Sequence, residues 1–241
     1  FARDASRRIS FDRVFRRARD RKEGDRLLAL VRQRLEVTED DKQIARLFWE
    51  EARVLRERGD QDGALRALEN VAVLEPDHVG ALALTGEIFI RRGMFAEAAT
   101  QLAHLATIAD APPKNRVTAG VAAADLFENK LERHDRSVEV LTVLYDAGLS
   151  TLPVRERLAR AAARAGAWAT AANILLQLMN ERAEKTGRID AARLAMTVFR
   201  DRLSTPDAAK PAIHKLLDEA PSDGEALGML LDVETDREPR E

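Results

Sequence analysis

The chain contains no cysteine, so neither disulfide bonds nor thiolate metal ligands are possible. Aromatic residues make up only 5% of it, and no apolar run approaches the roughly 18 residues that a membrane-spanning helix needs. No secretory leader is visible either, and the lack of cysteine suits a reducing compartment, so we predict a cytoplasmic protein. Because the chain begins at Phe1 and not at methionine, we expect it to be a fragment of a longer protein.

A large excess of charge of either sign is also missing. Lys and Arg total 39, Asp and Glu total 41, and the net charge is −2, which argues against general nucleic-acid binding. The charges nevertheless separate along the chain. Residues 1–22 hold nine Lys or Arg and three Asp, whereas residues 217–241 hold nine Asp or Glu and two Arg.

The residue patterns of the common catalytic sites are absent. The four histidines are far apart, none forms an i, i+4 pair with another, and no GxxxxGK[ST] phosphate loop is present. Acidic pairs such as Glu50–Glu51 lie in highly charged stretches, which we interpret as solvated helix faces. We therefore predict no catalytic site, no metal site and no cofactor.

What the chain does contain is a repeat. The segment 45–78 is followed by a second copy in which residues of the same character recur 34 positions later. The matching pairs are Ala52 with Gly86, Leu55 with Phe89, Gly59 with Gly93, Ala64 with Ala98, and Leu68 with Leu102. Gly59 and Gly93 suit left-handed helix ends, and Pro76 and the Pro112–Pro113 pair suit the ends of the second helices.

This pattern resembles the tetratricopeptide repeat family, whose units are helical hairpins with small residues where the helices touch. The first copy departs from the family by placing Phe48 at the tryptophan position and Gln61 at an aromatic position that Phe95 fills in the second copy. A further match follows at 152–185, where Gly166 repeats Gly93 after 73 positions. The unit between them therefore has about five extra residues, which we place in the turn at 129–136.

The resemblance implies an all-α, right-handed solenoid of about five to six helix-turn-helix repeats plus a C-terminal capping helix, in a single domain over 1–241. The expected parts are a degenerate N-terminal hairpin (1–40), repeats at 45–78, 79–113, 114–150, 151–187 and 188–221, and the capping helix (222–234). In the N-terminal hairpin we expect helices Ala5–Lys22 and Asp25–Val37 around Gly24. In the capping helix we expect the apolar cover to come from Ala226, Leu227, Leu230 and Leu231.

The family binds peptides on the concave face formed by the first helix of each hairpin. Carried onto this chain, that face has many arginines, and a tryptophan beside them could serve as an apolar anchor. The resemblance thus implies these partner-binding residues: Arg46, Trp49, Arg53, Arg56, Glu87, Arg91, Arg160 and Arg164.

We therefore predict a non-catalytic protein–protein interaction scaffold that binds a peptide or helix with acidic groups in an arginine-rich groove. Two alternatives stay open. The chain could be a regulatory or substrate-recruiting module of a larger enzyme or signalling protein. It could also be a membrane-peripheral adaptor, because Phe11, Val14, Phe15 and Ala18 fall on one face of a basic N-terminal helix. We favour packing of that face on the next hairpin, and so do not expect a membrane partner.

Overall fold

The computed structural model of the 241-residue chain describes residues 11, 13–21 and 23–235. Among those residues the secondary structure is helical: a first helical segment at 13–20 is followed by twelve α-helices and one 3₁₀ turn, Pro206–Ala209. The helices are α1 (Gly24–Leu35), α2 (Asp41–Glu57), α3 (Gln61–Leu74), α4 (Val79–Arg91), α5 (Phe95–Thr107), α6 (Pro113–Asn129), α7 (His134–Asp146), α8 (Leu152–Ala165), α9 (Trp168–Glu181), α10 (Lys185–Asp201), α11 (Lys210–Glu219) and α12 (Gly224–Thr235). The prediction of an all-α fold is confirmed.

The chain divides into two compact units, Phe1–Ile108 and Ala109–Glu241. In unit 1, α2 packs against α3 and α4 against α5, while segment 13–20, α1 and α2 share one core. In unit 2, the packed pairs are α6 with α7, α8 with α9, and α10 with α11, and α12 packs on α11. Both units are therefore built from helical hairpins, whereas the single superhelical domain over 1–241 stays a prediction.

Glycine in the left-handed conformation ends the first helix of three hairpins, as the sequence predicts for Gly59 and Gly93. The φ angles are 82° at Gly59, 73° at Gly93 and 74° at Gly166. In each turn, the N–H of the next residue donates to a carbonyl five residues earlier; the pairs are Asp60 to Leu55 at 2.9 Å, Met94 to Phe89 at 2.9 Å and Ala167 to Ala162 at 2.8 Å. The same local bonds therefore reverse the chain in all three hairpins.

Small residues lie where the second helix of a hairpin meets its neighbours. Ala64, Ala98, Ser137 and Ala171 are each 0% exposed and occupy the same place in α3, α5, α7 and α9. A larger side chain at these positions would hold the helix backbones apart. Ser137 is the polar member of the set, and its hydroxyl donates to Glu128 Oε1 at 2.5 Å.

Most of the extra residues of the third repeat are not in its turn, so that expectation is wrong. Helix α6 has 17 residues where α4 has 13, and the turn after it covers 130–133 where the turn after α4 covers 92–94. Most of the insertion therefore lengthens the first helix. We expected the Pro112–Pro113 pair only to end a helix, but Pro113 also begins α6, because proline suits the first helical position.

The N-terminal hairpin also differs from the prediction. Gly24 is the first residue of α1 and not the turn residue, and α1 ends at Leu35, before Val37. The predicted first helix, Ala5–Lys22, is described here only at 11 and 13–21, and its other residues lie outside the described part of the chain.

A helix, α12, lies where the capping helix is predicted, but its buried face is different from the one predicted. Asp223 caps it by accepting the N–H of Ala226 at 3.0 Å. Ala226 is buried as predicted, together with Met229 and Val233, whereas Leu227 is 42% exposed and Leu231 is 63% exposed. The buried residues are spaced three and four positions apart along the helix. They lie on a face that is rotated by about one residue around the helix from the face we predicted.

Candidate binding surface

The predicted site residues of unit 1 lie on the first helices of two successive hairpins. Arg46, Trp49, Arg53 and Arg56 follow one face of α2, because they are spaced three or four positions apart. Glu87 and Arg91 lie on α4. We call these six residues, together with Glu50 of α2, the arginine face.

Glu87 joins the two helices of the arginine face. Arg56 Nη2 donates to both of its carboxylate oxygens, at 3.2 and 3.3 Å. Arg91 Nη2 lies 2.7 Å from Glu87 Oε1. One carboxylate therefore orients two guanidinium groups, and both arginine side chains remain about half exposed, at 40% and 57%.

Glu50 plays the same part at the other end of the face. It pairs with Arg19 from the helical segment 13–20, and Arg53 Nη1 lies 3.4 Å from its Oε2. The interpretation of Glu50 and Glu51 as solvated is wrong, since their side chains are only 14% and 13% exposed. The i, i+3 spacing of Glu50 and Arg53 could have revealed one of these pairs, but the contact with Arg19 depends on how the two helices pack.

Trp49 is half-buried and belongs to the packing of unit 1. Its ring centroid lies 5.0 Å from that of His78, which caps α4 by accepting the Ala81 N–H at 3.0 Å. A Cβ atom at Gly80 would be 2.8 Å from Trp49 Cζ2, so only glycine leaves room for the indole. The guanidinium carbon of Arg53 lies over the same ring, 6.0 Å from its centroid. Trp49 is thus a wedge between α2 and the start of α4 and not a freely exposed anchor.

A cleft of 510 Å³ opens beside the arginine face, between segment 13–20 and α2. Four of the described residues that line it are arginines, Arg16, Arg19, Arg34 and Arg46, and the other described lining residues are Phe11, Phe15, Gln43, Leu47 and Glu50. Of these arginines, only Arg46 was predicted from the sequence as a site residue. We refer to this space as the N-terminal cleft.

Two apolar residues of segment 13–20, Phe15 and Ala18, face the protein core, whereas Val14 is half-buried. Phe15 is 8% exposed and Ala18 is 1% exposed, and Phe11 packs against the same core. These side chains are therefore not available for insertion into a membrane, in agreement with the packing that we favoured. In the described part of the chain, no helix is long and apolar enough to cross a membrane.

In unit 2, the predicted residues Arg160 and Arg164 are exposed on α8, and neither forms an ion pair with another described residue. The other arginines of that helix are engaged between helices. Arg157 Nε lies 3.1 Å from Glu128 Oε1, and Arg155 Nη2 lies 2.5 Å from Glu181 Oε2. Helix α8 therefore uses one set of arginines for packing and leaves another in solvent.

Comparisons with known proteins identify the fold. No protein-family model and no curated protein matches the sequence. Among solved structures, the Naa15/Naa10 complex bound to HypK-THB matches 95% of this chain and 39% of that one, at 16% identity and a TM-score of 0.54. YrrB, "a TPR protein with an unusual peptide-binding site", matches 83% of this chain and 97% of that one, at 15% identity and a TM-score of 0.44. A tetratricopeptide repeat protein from Parabacteroides merdae matches 93% and 83%, at 15% identity and a TM-score of 0.42. The chain has the tetratricopeptide-repeat fold.

The two repeat copies that the sequence shows most clearly form the α2–α3 hairpin and the α4–α5 hairpin, and each hairpin corresponds to one tetratricopeptide repeat. The arginine face then lies only on α2 and α4, the first helices of these two hairpins. Among the described residues, no group of three or more His, Asp or Glu side chains could hold a metal ion. The chemistry available on the arginine face is that of charge-assisted hydrogen bonding.

Proposed function

We propose that the chain is a non-catalytic scaffold that binds an acidic segment of a partner protein on the first helices of its repeats. In unit 1 the binding residues are Arg46, Trp49, Arg53, Arg56, Glu87 and Arg91. In unit 2 they are Arg160 and Arg164. The solved structures support the fold alone, so this proposal depends on the chemistry of the arginine face.

One observation supports the proposal above the others: each carboxylate of the arginine face is shared by two guanidinium groups. Glu50 pairs with Arg19 and Arg53, and Glu87 pairs with Arg56 and Arg91. Each cluster of one carboxylate and two guanidinium groups therefore keeps a net positive charge. It also holds the arginine side chains in place, so that a ligand carboxylate would meet oriented donors and less side-chain entropy would be lost on binding.

The sequence predicts Trp49 as an apolar anchor for the partner, but its contacts give it a further role in positioning the other residues. Its ring fixes the relation between α2 and the start of α4 and carries Arg53 on its surface. We therefore assign it a positioning role as well as contact area. Replacing it would change both binding and stability, so Trp49→Ala is a poor test of binding.

Arginine substitutions are the better test. Partners would be recovered by affinity purification of the full chain and identified by mass spectrometry, and binding would be measured at two salt concentrations. Loss of charge-assisted hydrogen bonds in the double variant Arg53→Ala/Arg56→Ala should weaken affinity by about tenfold or more at low salt, and less at high salt. Arg66→Ala is the matched control, because Arg66 is an exposed arginine on α3, a second helix. Equal affinity for the double variant and the control would place the binding surface elsewhere.

A further inference from the structure

We propose that the N-terminal cleft is the subsite that selects for acidic residues, and that it takes a carboxylate with a neighbouring apolar side chain from a partner protein. This inference rests on the proposed function and gives it a location. It adds a subsite for acidic residues, at the end beside segment 13–20, to the binding residues proposed on the arginine face.

The first argument is the balance of charge. Among the described residues, four arginines line the cleft and Glu50 is the single lining carboxylate. Glu50 already pairs with Arg19, and it is also shared with Arg53 outside the cleft. Among the described residues, Arg16, Arg34 and Arg46 form no ion pair. An arginine side chain stays charged in proteins, so a ligand carboxylate would meet three positive charges that no described carboxylate neutralises.

The rest of the arginine face differs on this point. Arg53, Arg56 and Arg91 all have a carboxylate of the chain within 3.4 Å. A ligand carboxylate there would have to compete with Glu50 or Glu87 for its donors. In the cleft it would meet Arg16, Arg34 and Arg46, which have no carboxylate partner among the described residues, so the electrostatic gain on binding is larger there.

The second argument is the shape and chemistry of the walls. The guanidinium groups of Arg19 and Arg34 lie over the rings of Phe15 and Phe11, at 5.2 and 5.7 Å from the centroids. A guanidinium group that lies over a ring can still direct its N–H groups at a carboxylate, as Arg19 does toward Glu50. The phenylalanines thus hold two of the four cations in place.

The cleft also has an apolar floor. Phe15 and Leu47 are each 8% exposed and lie among its lining residues. A volume of 510 Å³ accommodates a few amino-acid side chains. The site therefore fits an acidic residue flanked by an apolar one. A nucleic acid would instead need cations spread along its phosphates, and the chain as a whole carries a net charge of −2.

The test uses the full chain and a phage-displayed library of random short peptides as the probe. Selections are run with the unchanged protein, with Arg16→Gln/Arg46→Gln and with the control Arg66→Gln. Glutamine keeps hydrogen-bonding capacity and removes the charge. Because Arg16 and Arg46 are exposed and have no ionic partner among the described residues, the double variant should keep its helical circular dichroism spectrum and melting temperature.

We expect the unchanged protein and Arg66→Gln to enrich peptides in which Asp or Glu adjoins an apolar residue. The double variant should lose this preference, and it should bind a synthetic peptide from the first selection at least about tenfold more weakly. Equal affinity for the double variant would overturn the assignment of the cleft and leave the proposed scaffold function standing. Enrichment without acidic residues would overturn both the assignment of the cleft and the acidic partner proposed above. No enrichment by any of the proteins would contradict both. Displacement of the peptide by a single-stranded oligonucleotide that binds more tightly would overturn the choice of a protein segment.

Discussion

At the scale of single residues, the repeats depend on small side chains at the seam between helices. Ala98 is fully buried in α5, whereas Ala96, two positions earlier, is exposed on the same helix. The two alanines have the same helix propensity, so any difference between them comes from packing.

Ala98→Leu should therefore destabilise the fold by about 1–3 kcal/mol, because the added atoms have no space at the seam. Ala96→Leu should change the stability by less than about 0.5 kcal/mol, since its side chain would lie in solvent. Denaturant titrations of both variants measure the difference. A tolerated leucine at residue 98 would contradict the packing described here.

Glycine at residue 80 shows how a single missing Cβ atom positions the wedge residue of the arginine face. In a helix, alanine is favoured over glycine by up to about 1 kcal/mol. Gly228→Ala in α12 should stabilise the fold by up to this amount, because a Cβ atom there meets nothing within 4 Å. Gly80→Ala should not stabilise the fold, since the new Cβ atom would be 2.8 Å from Trp49 Cζ2. We expect Gly80→Ala to displace the indole and shift the emission of Trp49, measured in a Trp168→Phe background. Equal stabilisation by both substitutions would show that the indole can move at little cost.

At the scale of helices, sequence reasoning succeeded where a local signal decides the structure. Gly59 and Gly93 were predicted as left-handed helix ends from their recurrence alone, and the turn bonds that they allow need no partner from elsewhere in the chain. Sequence reasoning failed where the local sequence is compatible with two different structures. Pro113 can follow one helix or begin the next, and Leu227 and Met229 are equally apolar, so only tertiary packing selects the face of α12 that is buried.

The start of α12 should depend on pH. Asp223 accepts the Ala226 N–H and pairs with Arg193 at 2.7 Å, and these contacts, the backbone bond first, lower the pKa of Asp223 below its ordinary 3.8. Because the pKa is lower in the folded chain than in the unfolded one, the stabilisation is fully present above the ordinary value. It is lost as the pH falls through the lowered pKa.

Asp223→Asn separates the charge from the cap, since asparagine also caps helices well. The variant should be less stable than the parent by up to about 1 kcal/mol near neutral pH, because the partly exposed pair with Arg193 is lost. The difference should disappear once the parent carboxylate is protonated. Thermal melts at about pH 6 and about pH 2 measure it. The control is Asp232→Asn, at an exposed residue of the same helix. The difference in stability between this variant and the parent should not change between the two pH values.

At the scale of the whole molecule, the candidate site shows the limit of sequence reasoning. The helical register placed Arg46, Arg53 and Arg56 on one face, which needs only the period of a helix. Glu50 was misjudged, and Arg16, Arg19 and Arg34 were missed. Their roles arise from contacts between helices that are distant in sequence, and a repeat pattern does not specify those contacts.

The division into two compact units leads to the last prediction. Each unit buries large side chains of its own: Ile88 and Leu105 in unit 1, and Leu158, Met196 and Ile213 in unit 2. A chain segment that has its own core and complete hairpins can fold alone.

Residues 1–108 and 109–241, expressed separately, should therefore each give a helical circular dichroism spectrum and a cooperative thermal transition. The matched control is residues 1–58, which end between α2 and α3. This fragment should be largely unfolded, because Ala52 and Leu55 of α2 would lose the helix that packs against them. If residues 1–108 or 109–241 folded only after the other was added, the boundary at Ile108 would not separate two folding units. If 1–58 folded as well as 1–108, the complete hairpin would not be the unit of stability.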